Sequence, residues 1–341
     1  MTDFHPATGL AVGSFGIGTY AEAGRIFPGV VRPDGSVIDV SAHYADTHAI
    51  FNDWQRAFDR LENAARNTAD NGLRLDALSA LPPLAHPNLL CAGANYRQHV
   101  AEMMTHNRFN QHNRLDGESD ADFFQRNLAE VDRRKREGMP FFWAGLHSSL
   151  AGANDNLIKP LVGDQLDWEL EFGVIVAKSD RYLRPEQAGD LIAGYVMVND
   201  IGTVDEFRRT DVRWGYDWVS KHQPTFKPAG PFIVPKQFVD RDKVRIQLSV
   251  NGVIKQDWPV NDMLFSETEI LSYASERIRL LPGDMLLTGS PPGNGAMHGH
   301  FLEVGDVMDG EITYLGRQRN RVVAEDTQGR TPTYGKFSVA E

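Results

Sequence analysis

The sequence feature that most constrains the fold is the run 167–176, in which acidic residues lead into an apolar stretch rich in β-branched side chains. Such a stretch predicts a buried β-strand. Residues two apart in a strand project from the same face, so Glu169 and Glu171 should lie side by side. Asp200, which ends a second strand-like run over 193–200, supplies a third carboxylate.

Carboxylates at the mouth of an apolar strand repel one another and lose hydration unless a cation or a proton lies between them. Three carboxylates without sulfur are typical of a site for a hard cation, namely Mg²⁺ or Mn²⁺, with Ca²⁺ as a substitute. The alternative is that Glu169 and Glu171 belong to a solvated strand face, and their spacing alone does not decide between the two.

Composition and charge exclude several classes of protein. The 341 residues include 35 Lys and Arg and 46 Asp and Glu, a formal net charge of −11, without the basic patch that a nucleic-acid surface needs. No apolar run approaches the roughly 18 residues that span a bilayer, and the N-terminus lacks a basic-then-apolar signal, so we expect no membrane contact and a cytoplasmic protein. The single cysteine, Cys91, has apolar neighbours and predicts a buried thiol rather than a nucleophile.

The order of elements predicts an α+β, β-rich fold that begins with a small N-terminal α+β domain over residues 1–80. The segment 25–40 contains two short apolar runs joined by Pro, Asp and Gly, which is typical of a hairpin. Residues 49–66 place apolar side chains at helical spacing. These side chains are Ile50, Trp54, Phe58 and Leu61.

The larger domain is predicted over residues 81–341, mostly from strands that pair with distant partners. The turn Asn251-Gly252 between two apolar runs indicates a hairpin, and a capping box starting at Ser266 begins a helix. A polar segment near 104–138 ends in a helical apolar stripe. We interpret it as a helical insertion, which either covers the region of His99 or is purely structural.

A histidine and a glutamate lie three residues apart on a predicted helix. The short apolar run before Gly93 indicates a strand, and Asn95 can cap the helix that follows. An i,i+3 pair shares one helix face, so Glu102 can orient the imidazole of His99 and raise its basicity. The alternative for such a pair is a surface salt bridge.

Two loops present further polar side chains. Prolines and a glycine force an irregular path after Lys221, so this lysine should lie on a loop, where functional residues concentrate. A glycine-rich loop follows another apolar run and presents Thr288 and Ser290.

Five stretches, in matching order and spacing over about residues 88 to 325, resemble the fumarylacetoacetate hydrolase superfamily. They are Asn95-Tyr96-Arg97-Gln98-His99-Val100-Ala101-Glu102, Asp167-Trp168-Glu169-Leu170-Glu171, Ala193-Gly194-Tyr195 through Val198-Asn199-Asp200, Asn251-Gly252 with Met263-Leu264-Phe265-Ser266, and Leu281-Pro282-Gly283-Asp284 with Leu287-Thr288-Gly289-Ser290-Pro291.

The resemblance implies a homodimer with a mixed β-roll catalytic domain, in which the three carboxylates hold Mg²⁺ or Mn²⁺. It also implies that His99 and Glu102 activate a water molecule and that Lys221 stabilises an oxyanion or holds a substrate carboxylate. The residues expected to bind a keto or diketo acid substrate are Tyr96, Arg97, Thr288, Gly289 and Ser290.

The activity implied by the resemblance is metal-dependent hydrolysis of a carbon–carbon bond in a β-diketo acid or a related 1,3-diketone. A Lewis-acidic cation would stabilise the enolate that leaves. The same enolate forms in decarboxylation and in hydration or isomerisation, so these reactions are the alternatives within enzymes. The alternative from another class is a non-catalytic homologue that binds a metal or ligand.

The sequence departs from the family pattern at three positions. Gly145 stands where the family often has a lysine, Val204 stands in place of an arginine, and Phe207 in place of a glutamine. This drift from polar to apolar side chains indicates a substrate that is bulkier or more apolar than a short acylpyruvate. The insertion near 104–138 would form a wall of such a pocket.

Overall fold

The protein is built mainly from β-sheets, with short helices on their faces and edges. The computed structural model describes residues 2–67, 72–106, 108–207 and 218–334. Within these ranges the strands form one sheet of eight strands, two sheets of five and a two-stranded ribbon. The predicted α+β, β-rich class is therefore confirmed.

The N-terminal residues form the first five-stranded sheet, in the order β4-β3-β2-β1-β5. Its strands are β1 (Gly16–Glu22), β2 (Arg25–Val31), β3 (Ser36–Asp39), β4 (Leu73–Arg74) and β5 (Ser79–Leu81). The predicted hairpin is the antiparallel pair β2–β3. In its turn the Asp34 carboxylate accepts hydrogen bonds from the Ser36 N–H at 2.9 Å and the Ser36 hydroxyl at 2.7 Å. The predicted domain boundary at residue 80 falls within β5.

Two helices pack on this sheet where one apolar helical face was predicted. They are α1 (Thr47–Asn52) and α2 (Trp54–Arg66). The helix breaks at Asp53, whose φ of −125° and ψ of 38° are not helical. The predicted face survives the break, because Ile50 and Leu61 are buried in one apolar cluster with Trp54 and Phe58 packed against it.

The largest sheet has the predicted strand near its centre, in the order β7-β6-β18-β11-β12-β14-β8, with β15 pairing to β12. Its strands are β6 (Leu89–Ala92), β7 (Phe142–Gly145), β8 (Leu150–Gly152), β11 (Leu170–Val176), β12 (Ile192–Asn199), β14 (Lys227–Ala229), β15 (Val234–Pro235) and β18 (Met285–Leu287). Every residue of β11 and β12 is buried, which explains their apolar composition. Cys91 on β6 is buried as predicted, and burial raises the pKa of its thiol well above the usual value.

The third sheet has the order β17-β16-β19-β20-β9. Its strands are β9 (Leu157–Lys159), β16 (Arg245–Val250), β17 (Val253–Pro259), β19 (Val307–Ile312) and β20 (Gly316–Ala324), while β10 (Leu166–Asp167) and β13 (Gly202–Thr203) form the separate ribbon. The predicted hairpin is the pair β16–β17. Its turn residues Asn251 and Gly252 have φ of 51° and 78°, as a two-residue hairpin loop requires.

The remaining helices are α3 (Arg97–His106), α4 (Asp120–Glu137), α5 (Pro185–Ala188), α6 (Glu267–Arg277) and α7 (Gly295–His298). They pack largely against one another, α3 with α4 and α7, and α5 with α6. The predicted capping box is present at the start of α6, formed by Ser266 and Glu269. The helix of the insertion, α4, packs on α3, where Asn127 donates to the Thr105 hydroxyl at 3.1 Å.

The first sheet is joined directly to the large one. Ile17 on β1 and Ile233 exchange two backbone hydrogen bonds, of 2.8 and 2.7 Å. Side chains from both regions, including Tyr20 and Phe232, belong to one buried apolar cluster. Across the described ranges we found no helix with the length and apolar character needed to cross a bilayer.

Asn95 joins three loops instead of capping α3, so that prediction was wrong. Its amide nitrogen donates to the carbonyls of Phe265 at 3.0 Å and Thr288 at 2.8 Å, and its amide oxygen accepts from the Phe265 N–H at 3.0 Å. The side chain is 3% exposed. Without Asn95, backbone groups of two interior loops would lack hydrogen-bond partners. Pairing these buried groups stabilises the fold more than a helix cap would.

We expect Asn95→Ala to lower the free energy of unfolding by about 2–4 kcal/mol, because it leaves three buried backbone groups unpaired. Denaturant titration measures this change. Asn154→Ala, at an exposed loop position, is the matched control and should change stability by less than about 0.5 kcal/mol. Equal effects of the two substitutions would contradict the assignment.

Candidate metal centre

Three carboxylates converge where β11 begins and β12 ends. Glu169 directly precedes β11, Glu171 is its second residue, and Asp200 directly follows β12. The Asp200 N–H donates to the Glu169 carbonyl at 2.8 Å, and the Glu169 N–H donates to the side-chain oxygen of Asn199 at 2.9 Å. One oxygen from each carboxylate lies within 4.8 Å of the others. Strand pairing thus brings together residues that are far apart in the sequence.

Loss of hydration makes the negative charges of this cluster unfavourable, and the pKa values of its carboxyl groups reflect this. Burial raises the pKa of Glu169 against the opposing charge of Lys221. Burial, reinforced by the negative charges of Asp200 and Glu169, raises the pKa of Glu171 well above its usual value. Burial would also raise the pKa of Asp200, but the ammonium groups of Lys221 and Lys227 hold it below its usual value. Glu171 is therefore the carboxylate with the least compensating positive charge.

The ammonium group of Lys221 lies against two of the carboxylates. Lys221 ends a 3₁₀ turn (Trp218–Lys221), and its side chain is only 4% exposed. Its Nζ lies 2.8 Å from Glu169 Oε2 and 3.4 Å from Asp200 Oδ2, and it donates to the Asp200 carbonyl at 2.7 Å. Burial would lower the pKa of Lys221, but these carboxylates raise it above its usual value, so the lysine stays charged.

A second lysine, Lys227, was missed by the sequence analysis. Its side chain is fully buried, and its Nζ contacts Asp200 Oδ1 and donates to the Lys221 carbonyl at 3.0 Å. The same Nζ lies 5.4 Å from the ring centroid of Trp143. The sequence does contain a signal for this lysine, since it is the one charged residue in the mainly apolar run 226–234. A charge in a buried strand needs a partner of opposite charge or a hydrogen-bond acceptor.

Two positions where the sequence departs from the family pattern have different surroundings. The ring of Phe207 has its centroid 5.5 Å from Lys221 Nζ. Gly145 ends β7, two residues after Trp143, and an added Cβ there would meet Leu89 at 2.9 Å. The described residues therefore place Lys227, rather than any residue of β7, beside the cluster as its second cation.

The glycine loop supports the cluster through its backbone. The Gly289 N–H donates to Glu171 Oε2 at 2.7 Å, and Gly289 has a φ of 97°, which favours glycine. The Thr288 hydroxyl donates to the Phe172 carbonyl at 2.6 Å. The Ser290 hydroxyl donates to the Pro291 carbonyl at 3.1 Å. Of the three loop residues predicted to bind substrate, Gly289 alone contacts a candidate metal ligand, while both hydroxyl hydrogens are used within the protein.

His99 lies on the first turn of α3 and is 5% exposed. Burial, and then the charge of Lys221, lowers the pKa of His99 to about 4, so the imidazole is neutral near pH 7. Its Nδ1 has no hydrogen-bond partner among the described residues. Glu102 instead accepts a hydrogen bond from Gln98 Nε2 at 2.7 Å. The predicted contact between Glu102 and His99 is therefore not formed.

The other two predicted substrate-binding residues have different surroundings. Tyr96 is fully buried, and burial together with the charge of Glu171 raises its pKa well above the usual value. Its hydroxyl makes no hydrogen bond of ordinary geometry within the described ranges. Arg97 forms a two-point ion pair with Asp132 on α4, with distances of 2.6 and 2.8 Å. Arg97 thus joins α3 to the insertion helix.

The donor set fits a hard divalent cation. All three side chains offer oxygen, and none offers sulfur or nitrogen. Within the described ranges Glu171 accepts from one backbone N–H, that of Gly289, and no lysine lies in direct contact with it. The cluster can therefore hold a divalent metal ion, which would supply the positive charge that Glu171 lacks.

The low pKa of His99 has a consequence for stability. Above about pH 6.5 the imidazole is neutral in the folded and unfolded states, but between about pH 6.5 and 4 the unfolded chain binds the proton more strongly. Stability is therefore lost as the pH falls through this window. We expect His99→Asn to flatten the dependence by up to about 1.4 kcal/mol per pH unit.

Denaturant titrations at several pH values from 4 to 7 measure the effect. Val100→Ala, at a buried neutral neighbour on α3, should lower stability equally at every pH. A pH slope that is the same in the His99→Asn variant and the wild type would contradict the assignment.

The family model for the fumarylacetoacetate (FAA) hydrolase C-terminal domain matches residues 88–323. A 2,4-didehydro-3-deoxy-L-rhamnonate hydrolase of Sphingomonas sp. (strain SKA58) is 35% identical over 54% of this chain and 65% of its own length. A mitochondrial oxaloacetate tautomerase of Bos taurus is 34% identical over 54% of this chain and 59% of its own length. The alignments thus cover less than two thirds of these relatives.

Solved structures match over nearly the whole chain. A fumarylacetoacetate hydrolase from psychrophilic Exiguobacterium antarcticum is 25% identical, with a TM-score of 0.68 over 92% of this chain and 100% of that one. A maleylpyruvate hydrolase from Sphingobium sp. SYK-6, solved with manganese(II) and pyruvate, shares the fold at 21% identity, with a TM-score of 0.68 over 91% of this chain and 100% of that one. The predicted fold type is thereby confirmed. Because the family model covers more than half of the chain, the protein belongs to the fumarylacetoacetate hydrolase family.

Proposed function

We propose that the protein is a divalent-metal-dependent hydrolase that cleaves a carbon–carbon bond in a β-diketo acid. The observation that carries the proposal is the convergence of Glu169, Glu171 and Asp200 within 4.8 Å, beside the Lys221 ammonium group. This cluster is the feature of the described residues that combines a cation-binding donor set with a fixed positive charge.

The charge of the site supports an anionic substrate. Three carboxylates and two lysines sum to one negative charge, so a bound divalent cation makes the total one positive charge. A positive buried site favours a carboxylate or an enolate over a neutral ligand. The rhamnonate-derived substrate in the name of one relative, and the pyruvate bound in one solved structure, are acids of this class.

The three carboxylates would hold Mg²⁺ or Mn²⁺, and the ion would supply Lewis acidity that stabilises an enolate leaving group. His99 is neutral near pH 7 and can accept a proton from water. Lys221 makes two short contacts, and its remaining N–H, directed to Asp200 Oδ2 at 3.4 Å, can turn to a substrate carboxylate or an oxyanion.

A second candidate function is keto–enol tautomerisation or isomerisation of a keto acid. It is favoured by the contact of Glu102 with Gln98 rather than with His99. Moving a proton between carbon and oxygen needs one base and a stabilised enolate, whereas hydrolysis also needs an activated water. The Bos taurus relative is named an oxaloacetate tautomerase.

Product analysis decides between these functions. Purified protein loaded with Mn²⁺ is incubated with acylpyruvates, bulkier aryl β-diketo acids and oxaloacetate. Hydrolysis yields two acids or an acid and a ketone, tautomerisation changes only the ultraviolet spectrum of the enol, and decarboxylation releases CO₂. If every compound remains unchanged, the protein is not the enzyme proposed and a ligand-binding role takes its place. Light scattering would test the homodimer that the family resemblance implies.

We expect Glu171→Gln to weaken Mn²⁺ binding by at least about tenfold, because a neutral amide replaces one of three anionic ligands. Electron paramagnetic resonance of free Mn²⁺ measures the affinity without a substrate. Glu186→Gln, at an exposed position on α5, is the control and should bind as the wild type does. Wild-type affinity in the Glu171 variant would exclude this carboxylate as a ligand.

We expect Glu102→Gln to lower kcat by about 10²–10⁴-fold if water activation limits the reaction, the range for a general base. Tautomerisation should instead change by no more than a few fold, because Glu102 does not contact His99. Steady-state kinetics with Glu137→Gln on α4 as the control separates the two results. Full retention of hydrolysis in the Glu102 variant would remove Glu102 from the proposed mechanism.

A further inference from the structure

The second lysine of the cluster has a role that neither ligand binding nor proton transfer explains. Lys227 has no exposed surface, so it cannot reach a substrate. Its Nζ is enclosed by three groups, namely Asp200 Oδ1, the Lys221 carbonyl and the face of the Trp143 ring. Two of its three N–H donors therefore have oxygen partners, and its positive charge lies over an aromatic ring.

The two oxygens of the Asp200 carboxylate lie beside different lysines. Oδ1 contacts Lys227, while Oδ2 lies 3.4 Å from Lys221 Nζ. The bond from Lys227 to the Lys221 carbonyl also fixes the turn that carries Lys221. One buried ammonium group thereby orients both a candidate metal ligand and the neighbouring lysine.

We propose that Lys227 is a positioning residue, a built-in counter-ion that keeps the carboxylate cluster assembled before a divalent cation enters. The proposal rests on the cation site of the proposed function. Without Lys227 the cluster would hold three carboxylates against Lys221 alone, a net charge of two negative units. Buried carboxylates in that state repel each other and lack hydration.

The sign of the effect on cation binding follows from charge. Lys227 and a divalent cation both place positive charge beside Asp200, so each weakens the binding of the other. Removing Lys227 should therefore destabilise the ion-free protein and strengthen cation binding. If Lys227 only held Asp200 in a geometry suited to the cation, its removal would weaken cation binding. If Lys227 acted only through packing, its removal would leave the cation affinity unchanged.

The test uses the full chain with Lys227→Met, which keeps the length of the side chain and removes its charge. Mn²⁺ affinity is measured by electron paramagnetic resonance, and the melting temperature is measured in EDTA and in saturating Mn²⁺. We expect the Kd for Mn²⁺ to fall by about tenfold or more. We also expect a lower melting temperature in EDTA and a larger rise on adding Mn²⁺ than in the wild type.

Lys159→Met is the matched control. Lys159 Nζ also contacts one carboxylate, Glu303 at 2.5 Å, and one carbonyl, that of Leu302 at 3.1 Å, but it does not contact the cluster. The control should keep the wild-type Kd and the wild-type rise in melting temperature. Lys159 is partly buried, with a side chain 16% exposed, so this comparison separates the loss of an ion-paired lysine in general from the loss of the lysine beside the cluster.

Each outcome bears on the proposal. If the Lys227→Met variant folds only with Mn²⁺, the proposal is supported, because the cation then replaces the lost charge. Lys227→Gln, which retains an N–H donor for the Lys221 carbonyl, repeats the comparison if the methionine variant does not fold. Failure of both variants to fold even in Mn²⁺, or a Kd that is unchanged or higher, overturns the role of Lys227. Absence of Mn²⁺ binding in the wild type overturns the cation site itself.

Discussion

The packing of three carboxylates beside one another, two of them buried and Glu169 partly buried, is the constraint on which the rest of the site depends. Carboxylates withdrawn from water repel each other, and the pKa values of Glu169 and Glu171 rise as a result. Two lysines offset part of the negative charge, and Asp200, which contacts both, has a lowered pKa. The remaining negative charge favours a divalent cation, and a bound divalent cation would give the site a net positive charge that attracts anions.

Rigid backbone holds this cluster in place. The antiparallel pairing of β11 and β12 fixes the spacing of the carboxylates, and the glycine loop adds an N–H bond to Glu171. Asn95 fastens that loop to the start of α3, so the helix that carries His99 is tied to the same strands. Preorganised groups of this kind lower the cost of binding charged ligands, because little reorganisation is needed.

The candidate reactions differ in whether they need a contact between Glu102 and His99. A neutral His99 can accept a proton, but the carboxylate that would strengthen it as a base contacts Gln98. In the mechanism that we propose, hydrolysis would require Glu102 to exchange Gln98 for His99, whereas tautomerisation would not. The relatives named above include a hydrolase and a tautomerase, so membership of the family does not choose between the two reactions.

The sequence by itself determined what depends on local pattern. Apolar runs predicted β11 and β12, and turn residues between apolar runs predicted both hairpins. The spacing of Glu169 and Glu171 predicted their shared face. Tertiary structure alone decided the contacts between distant segments. Asn95 bonds to the buried backbone of distant loops instead of capping α3. Glu102 bonds to Gln98 rather than to His99, and Lys227, on another strand, contacts Asp200. Local sequence pattern does not indicate which buried polar group will need a hydrogen-bond or ion-pair partner, because these groups become buried only when the sheets assemble.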